Sequence, residues 1–346
     1  MNEWLQALPA GPAVLVTVAI VEGSVPREAG AHMLVTAHGQ ADTIGGGHLE
    51  LCALEVARSM LQEAAAAQTG ADGDTAMAAR LQRYALGPTL GQCCGGVVHL
   101  AFEFVDAALA QVLLMLQSLQ HQQQRTDSWR LSALDGIASS VLLAGDGTLL
   151  AGSADSLAQL PEFDFAHSTQ VLRDSAGRRW LADAVLAPRA HLLLFGAGHV
   201  GAALIRLLGE LPCTVSWIDE REEMFPAELP ANVRIEATDV PEALVASAPA
   251  GASYLVMTHS HALDQRLSAA ILAREQVGWF GLIGSHTKRV QFERRMAARG
   301  IAAERIAAMV CPIGLPGISS KLPAVIATSV CAQLLMVWQA QQAEPR

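Results

Sequence analysis

Two adjacent thiols, Cys93 and Cys94, sit in the glycine-framed stretch "LGQCCGG" just ahead of an apolar run that reads as a strand. Four chemistries use such a pair. A zinc site wants a second C-x-x-C half or a partnered histidine pair, which the surrounding sequence lacks. A vicinal disulfide is strained, and a redox pair is more often spaced C-x-x-C. A soft thiolate ligand for a soft metal centre, or a sulfur-handling thiol, suits an exposed glycine turn best. The same half of the chain carries residues for holding anions. In "EGSVPREAG", Arg27 follows Pro26 in a turn and offers a bidentate contact. In "TIGGGHLE", Gly45, Gly46 and Gly47 precede a helix, so their backbone N–H groups form a nest suited to phosphate or another oxyanion.

The second half has chemistry of its own. "LLLFGAGHVG" places Gly196, Gly198 and Gly201 in a G-x-G-x-x-G pattern between an apolar strand and a helical run. That pattern asks for a tight turn at Gly196, close approach of backbone to a pyrophosphate at Gly198, and helix-on-strand packing at Gly201. The next strand ends in Asp219, about twenty residues on, where a carboxylate accepts hydrogen bonds from ribose hydroxyls. Downstream, "MTHSHALDQR" gives His259 and His261 the H-x-H spacing of a dinuclear hydrolase, with Asp264 behind them. The hydrolase pattern wants its aspartate one residue earlier and a histidine after it, where Gln265 stands here. The three residues read instead as a polar cluster at the carboxyl edge of a sheet, where doubly wound folds bind ligands. In "GLIGSHTKR", Gly284 and Ser285 open a helix whose first turn carries His286, Lys288 and Arg289, an anion seat of exposed N–H groups and positive side chains.

These residues need elements to position them. The first 155 residues read as short strands with glycine turns, interrupted by helices near 48–66 and 106–122, a mixed α+β domain. Residues 156–188 lose that periodicity and read as a connector. From 189 to 346, five strand-like runs alternate with helical ones, which predicts an α/β, Rossmann-like doubly wound parallel sheet. The alanine-rich stretch 63–79 reads as a helix end followed by a loop. With 346 residues and 51% hydrophobic content, two cores are affordable.

The net charge of −10 speaks against nucleic-acid binding. No signal peptide or membrane-spanning apolar run is evident, so a cytoplasmic location is expected. Six cysteines without framework spacing argue against a disulfide scaffold, and Cys213, Cys311 and Cys331 read as small buried hydrophobes.

In order and spacing, "GSVPREAGAHMLV", "GGGHLE", "LGQCCGG", "LLLFGAGHVG", "HSHALD", "GLIGSHTKR" and "CPIGLPGISSKLPAVIATSV" resemble the xanthine dehydrogenase accessory protein family, the XdhC/CoxI type, from about residue 13 to 335. The resemblance implies a maturation factor rather than a catalyst. Such a protein binds the molybdenum cofactor (molybdopterin), protects it while its terminal sulfido ligand is installed, and delivers it to apo-xanthine dehydrogenase. Implied partners are the molybdenum-bearing subunit of that enzyme, a cysteine desulfurase and a second copy of the chain, since family members commonly form homodimers. The family's C-G-G pattern falls on Cys94, which becomes the expected molybdenum contact, with Cys93 its neighbour.

Molybdopterin needs an anion seat and a soft, shielded pocket, so the expected site is the cleft between the two regions. One departure stands out: Ala324 and Val325 occupy positions where many relatives carry glutamate, and Lys321 offers a positive charge instead. The rival reading is an NAD(P)-dependent oxidoreductase or dinucleotide sensor, with Gly196, Gly198, Gly201 and Asp219 holding cofactor and His259, His261 or Asp264 moving protons.

Overall fold

The computed structural model describes residues 3–68, 77–87, 94–120, 126–165 and 168–343. They form two compact units that divide at Ala187 and Pro188. Cys93 and most of the loop expected after residue 68 lie outside the described residues.

The first unit opens with α1 (Glu3–Gln6) and β1 (Ala13–Glu22), whose first seven residues are all buried. Unbroken burial on both faces marks a strand covered from two sides. β2 (His32–Thr36), β3 (Gln40–Ala41), α2 (Gly47–Gln68), β4 (Arg80–Ala85) and β5 (Val97–Phe104) follow, and the antiparallel sheet runs β3-β2-β1-β5-β4. α2 lays Leu49, Ala53, Ala57 and Met60 on Val14, Val16 and Met33 of one face. On the other face, α1 and α3 (Ala107–Gln120) bring Trp4, Leu5, Val112 and Leu113 to Leu15 and Leu34.

A second antiparallel sheet contains β6 (Ser128–Ala133), β7 (Ser140–Ala144), β8 (Leu149–Ala151), β9 (Gln170–Arg173) and β10 (Arg179–Val185), in the order β8-β7-β6-β10-β9, with the short α4 (Ala154–Leu157) after β8. Two of its strands occupy the stretch expected to be a connector, and the unit runs on to Ala187. The sequence conceals β10 because Asp183, a residue that reads as solvent-facing, is fully buried.

Its partners explain why it can be. Arg130 on β6, also fully buried, donates Nη1 to both carboxylate oxygens of Glu103 on β5 at 2.8 Å each, and Nη2 to Asp183 Oδ2 at 3.1 Å. His32 Nε2 lies 2.8 Å from the same Oδ2, and Thr169 donates to Oδ1 at 3.0 Å. Burial pushes the Asp183 carboxyl up, but His32 and Arg130 outweigh it and hold the group well below the usual carboxylate range. A charged network therefore ties the two sheets together.

The second unit is a parallel sheet of β11 (Ala190–Phe195), β12 (Cys213–Asp219), β13 (Val233–Ala237), β14 (Ala252–Val256), β15 (Val277–Leu282) and β16 (Met309–Val310). Its order, β13-β12-β11-β14-β15-β16, places the topological switch between β11 and β14. The five strands expected from the alternating runs are all present; the two-residue β16 was too short to read. α5 (His199–Leu208) and α10 (Pro323–Ala343) cover one face, with Leu204, Leu208, Val330 and Leu334 packed on Leu192, Leu194 and Trp217. The other face is covered by α6 (Pro241–Ser247), α7 (His261–Ala273), α8 (His286–Ala298) and α9 (Ala303–Ala307), through Val245, Leu267, Phe292 and Ile306. This is the doubly wound Rossmann arrangement.

Candidate functional site

In the first unit, antiparallel pairing brings three turns to one edge of the first sheet. The turn between β1 and β2 carries Arg27, the loop from β3 to α2 carries the three glycines, and the turn between β4 and β5 carries Cys94. Close contacts weld them together. Gly96 donates its N–H to Ser24 O at 2.9 Å, and a Cβ on Gly96 would stand 2.4 Å from that oxygen, so only glycine fits. Arg27 Nη1 donates to Thr43 O at 3.0 Å, and Pro26 presses on the Cα of Gly45, where a Cβ would meet the ring at 2.6 Å. Cys94 is half-buried against the core beneath α2.

The glycine nest, however, already holds an anion. Gly45, Gly46 and Gly47 all have positive φ, and Glu50 from the first turn of α2 folds back into the loop. Its Oε2 accepts from the N–H groups of Ile44 (3.3 Å) and Gly46 (3.1 Å) and from the Thr43 hydroxyl, while Oε1 accepts from Gln40 Nε2 at 2.7 Å. Burial raises the Glu50 carboxyl, and the hydrogen bonds from Thr43, Gln40 and the loop N–H groups pull it below the ordinary value. The expectation that this nest receives a ligand phosphate is therefore corrected: its charge is balanced from within. An acidic residue in a helix's first turn, reaching back toward the loop before it, is the sequence signal for this arrangement.

In the second unit, each glycine of the phosphate-loop pattern meets a different constraint. Gly196 has φ +118°, and a Cβ there would lie 2.4 Å from Met257 O; at Gly201 it would lie 2.3 Å from Gly196 O. Gly198, at the N-terminus of α5, faces open space, and no side chain caps that helix. Uncapped N–H groups at a helix start are a seat for an anion.

Asp219 departs from its expected role. Its Oδ2 accepts from the Ala197 N–H at 2.7 Å, and both oxygens accept from the Arg221 guanidinium at 2.9 and 3.1 Å. Burial raises this carboxyl and Arg221 with Ala197 lowers it further than that, leaving it below its ordinary value. The side chain braces the glycine loop rather than standing open to a ribose. Glu220, next along and exposed, lines the groove formed by Gly196, Ile218, Pro241 and Thr258 at the ends of β11, β12 and β14. The sequence hides Glu220 because a Rossmann carboxylate ordinarily stands at the strand's last position, here Asp219.

The polar cluster after β14 likewise divides. His259 and His261 are exposed, the latter 5.7 Å from the Phe292 ring. Asp264 is buried: Oδ1 accepts from Thr258 Oγ1 at 2.7 Å and Oδ2 from Lys288 Nζ at 2.7 Å. Lys288 also donates to Ile283 O at 2.8 Å. This pair clamps the loop before α7 to the loop before α8, so proton transfer from Asp264 is not what the geometry favours. Ser285 caps α8 by accepting from the Lys288 N–H at 3.2 Å, next to Gly284. Lys288 is committed to Asp264, and Arg289 to Glu293 (2.7 Å) and Cys311 O (3.2 Å). The expected anion seat at Gly284 and Ser285 thus lacks two of its cations. Among the described residues, no three His, Cys, Asp or Glu side chains gather to hold a metal ion.

Two family models match the chain. One, the XdhC and CoxI family, covers residues 8–69, and the other, the XdhC Rossmann domain, covers 192–334. The chain belongs to the XdhC/CoxI family. Arg27 and the glycine loop before α5 fall within those matches, whereas Cys94 lies outside both. The uncharacterized protein YqeB of Escherichia coli strain K12 is 28% identical over 165 residues, 47% of this chain and 30% of that protein. The match therefore spans less than a third of that relative's length. A crystal structure from Bacillus halodurans, described as a xanthine dehydrogenase, is 20% identical, with a TM-score of 0.71 over 99% of this chain and 96% of that one. At that identity the likeness is one of fold.

Proposed function

We propose that this XdhC/CoxI family member acts in the maturation of xanthine dehydrogenase, holding the molybdenum cofactor while its terminal sulfido ligand is installed and handing it to the apo-enzyme. The observation that carries this reading is the meeting of the Arg27 and Cys94 turns at one edge of the first sheet. The donor set fits the group. Cys94 offers a soft sulfur donor of the kind a molybdenum–sulfur centre accepts, and Arg27 keeps part of its guanidinium for an oxyanion after its one bond to Thr43 O.

When bound, the cofactor supplies the sulfido-bearing metal that the target enzyme needs. The chain's own residues bind, orient and shield it. Glu50 keeps the adjoining loop in its positive-φ shape without lending charge to the ligand. On this reading a cysteine desulfurase and the molybdenum-bearing subunit are the partners, the chain works in the cytoplasm as a homo-oligomer, and it turns over no substrate of its own.

The test is molybdenum content and pterin fluorescence of protein made in a cofactor-competent host. Parent protein carries both near stoichiometry, Cys94→Ala loses most of the molybdenum, and Cys93→Ala retains it. Parent protein that carries neither would sink the proposal.

A second reading attaches to the other unit. The open backbone at Gly198 and the uncapped start of α5 suit a phosphate-bearing nucleotide such as NAD(P). NADH at about one hundred times its Kd would stabilise the fold by about 2.7 kcal/mol, visible as a raised Tm. No rise at millimolar NADH removes this reading.

A further inference from the structure

A cavity of about 210 Å³ lies over the carboxyl ends of β15 and β16. Four isoleucines line it: Ile283 and Ile313 from the strand ends, Ile326 from α10 and Ile318 from the loop between. Ser320 and Lys321 stand at its lip. The loop wall is fastened rather than draped. Ser329, buried on α10, accepts from the Leu315 N–H at 2.7 Å, and Gln333 accepts from the Gly314 N–H at 2.9 Å while donating to its carbonyl at 3.3 Å. The lip nevertheless exposes apolar surface, with Ile318 at 48% and Leu322 at 66%.

The cation at this lip is unusual for the chain. Lysine occurs only at 288 and 321 among 23 Lys and Arg residues. Lys288 is committed to Asp264 and the Ile283 carbonyl, whereas Lys321 is exposed and forms no ion pair among the described residues. A compact ammonium suits a single carboxylate or phosphate oxygen. Just beyond it α10 begins at Pro323 with no acidic residue in its first turn, so the helix dipole also favours negative charge there.

We infer that this cavity binds a small amphipathic anion, an apolar body bearing one carboxylate or phosphate, with the body among the isoleucines and the charge at Lys321 and Ser320. The inference rests on residues of the second unit alone and does not depend on the molybdenum reading.

The test titrates the full chain with 8-anilinonaphthalene-1-sulfonate and, in parallel, with its neutral analogue N-phenyl-1-naphthylamine, following fluorescence. One saturable sulfonate site per chain is expected. Lys321→Glu weakens the sulfonate by about tenfold or more, the loss of one charged contact, and shifts the neutral dye much less. Ile313→Gln weakens both. Circular dichroism checks the fold of each variant, and the surface change Lys321→Glu decides the matter if Ile313→Gln unfolds. Displacement of the sulfonate by benzoate, or by nicotinamide mononucleotide, supports the site and tells a carboxylate ligand from a phosphate one. Displacement by neither, or a sulfonate affinity indifferent to Lys321→Glu, overturns the inference.

Discussion

Gly201 illustrates how little room single residues leave in the glycine loop. A methyl group there would stand 2.3 Å from Gly196 O, so Gly201→Ala must push α5 off the sheet. Overpacking of this kind costs about 1–3 kcal/mol. Urea denaturation followed by tryptophan fluorescence should show that loss, and a change below about 0.5 kcal/mol would mean the helix has slack that the contact denies. Asp264 makes a different residue-scale case. Asp264→Asn leaves the Lys288 ammonium, with 13% of its side chain exposed, facing a neutral amide. Breaking a buried pair by removing one charge costs about 3–5 kcal/mol, and the partial exposure of Lys288 places the expected loss at the low end. The same denaturation measurement reads it; an unchanged midpoint would demote the clamp to an incidental contact.

Among the elements, the loop from β3 to α2 is the most informative. Glu50→Ala removes the acceptor for two backbone N–H groups and leaves three consecutive positive-φ glycines unbraced. Each orphaned donor that water cannot reach costs about 1–3 kcal/mol. Hydrogen exchange at Ile44 and Gly46 should quicken well before the rest of α2 does, and uniform protection would refute the brace.

Elements that advertise themselves by period were legible: the runs behind β11 to β15, α2 and α3 all follow their expected patterns. β9 and β10 were not, because their inward positions include Asp183 and because arginines flank them. Site residues followed the same logic. Gly196, Gly198 and Gly201 announce a backbone requirement through identity alone. Glu50 and Asp219 do not announce which partner their carboxylates take, since that depends on contacts with Thr43, Gln40, Ala197 and Arg221 that only folding brings near.

For the molecule as a whole, carboxylates held by hydrogen bonds and ion pairs shape the response to acid. Asp183, Glu50 and Asp219 all have folded-state values lowered from their ordinary ones. The stability they contribute is complete above the unfolded values, about 3.9 for Asp and 4.3 for Glu, and drains away as pH falls toward the folded ones. Denaturation free energy should therefore decline steadily below about pH 5. Asp183→Asn, less stable throughout, should flatten that decline; an unaltered slope would show that the inter-sheet network is not its source.

The placement of α10 bears on how the chain is made. One face of the parallel sheet, with Leu192, Leu194 and Trp217, is roofed jointly by α5 and by residues 323–343. During synthesis α5 emerges early, but its roofing partner follows more than a hundred residues later. Until then the nascent chain presents a half-clad oily surface to the cell, so a ribosome stalled before residue 323 should hold a species that recruits holding chaperones, while the released 346-residue chain should not.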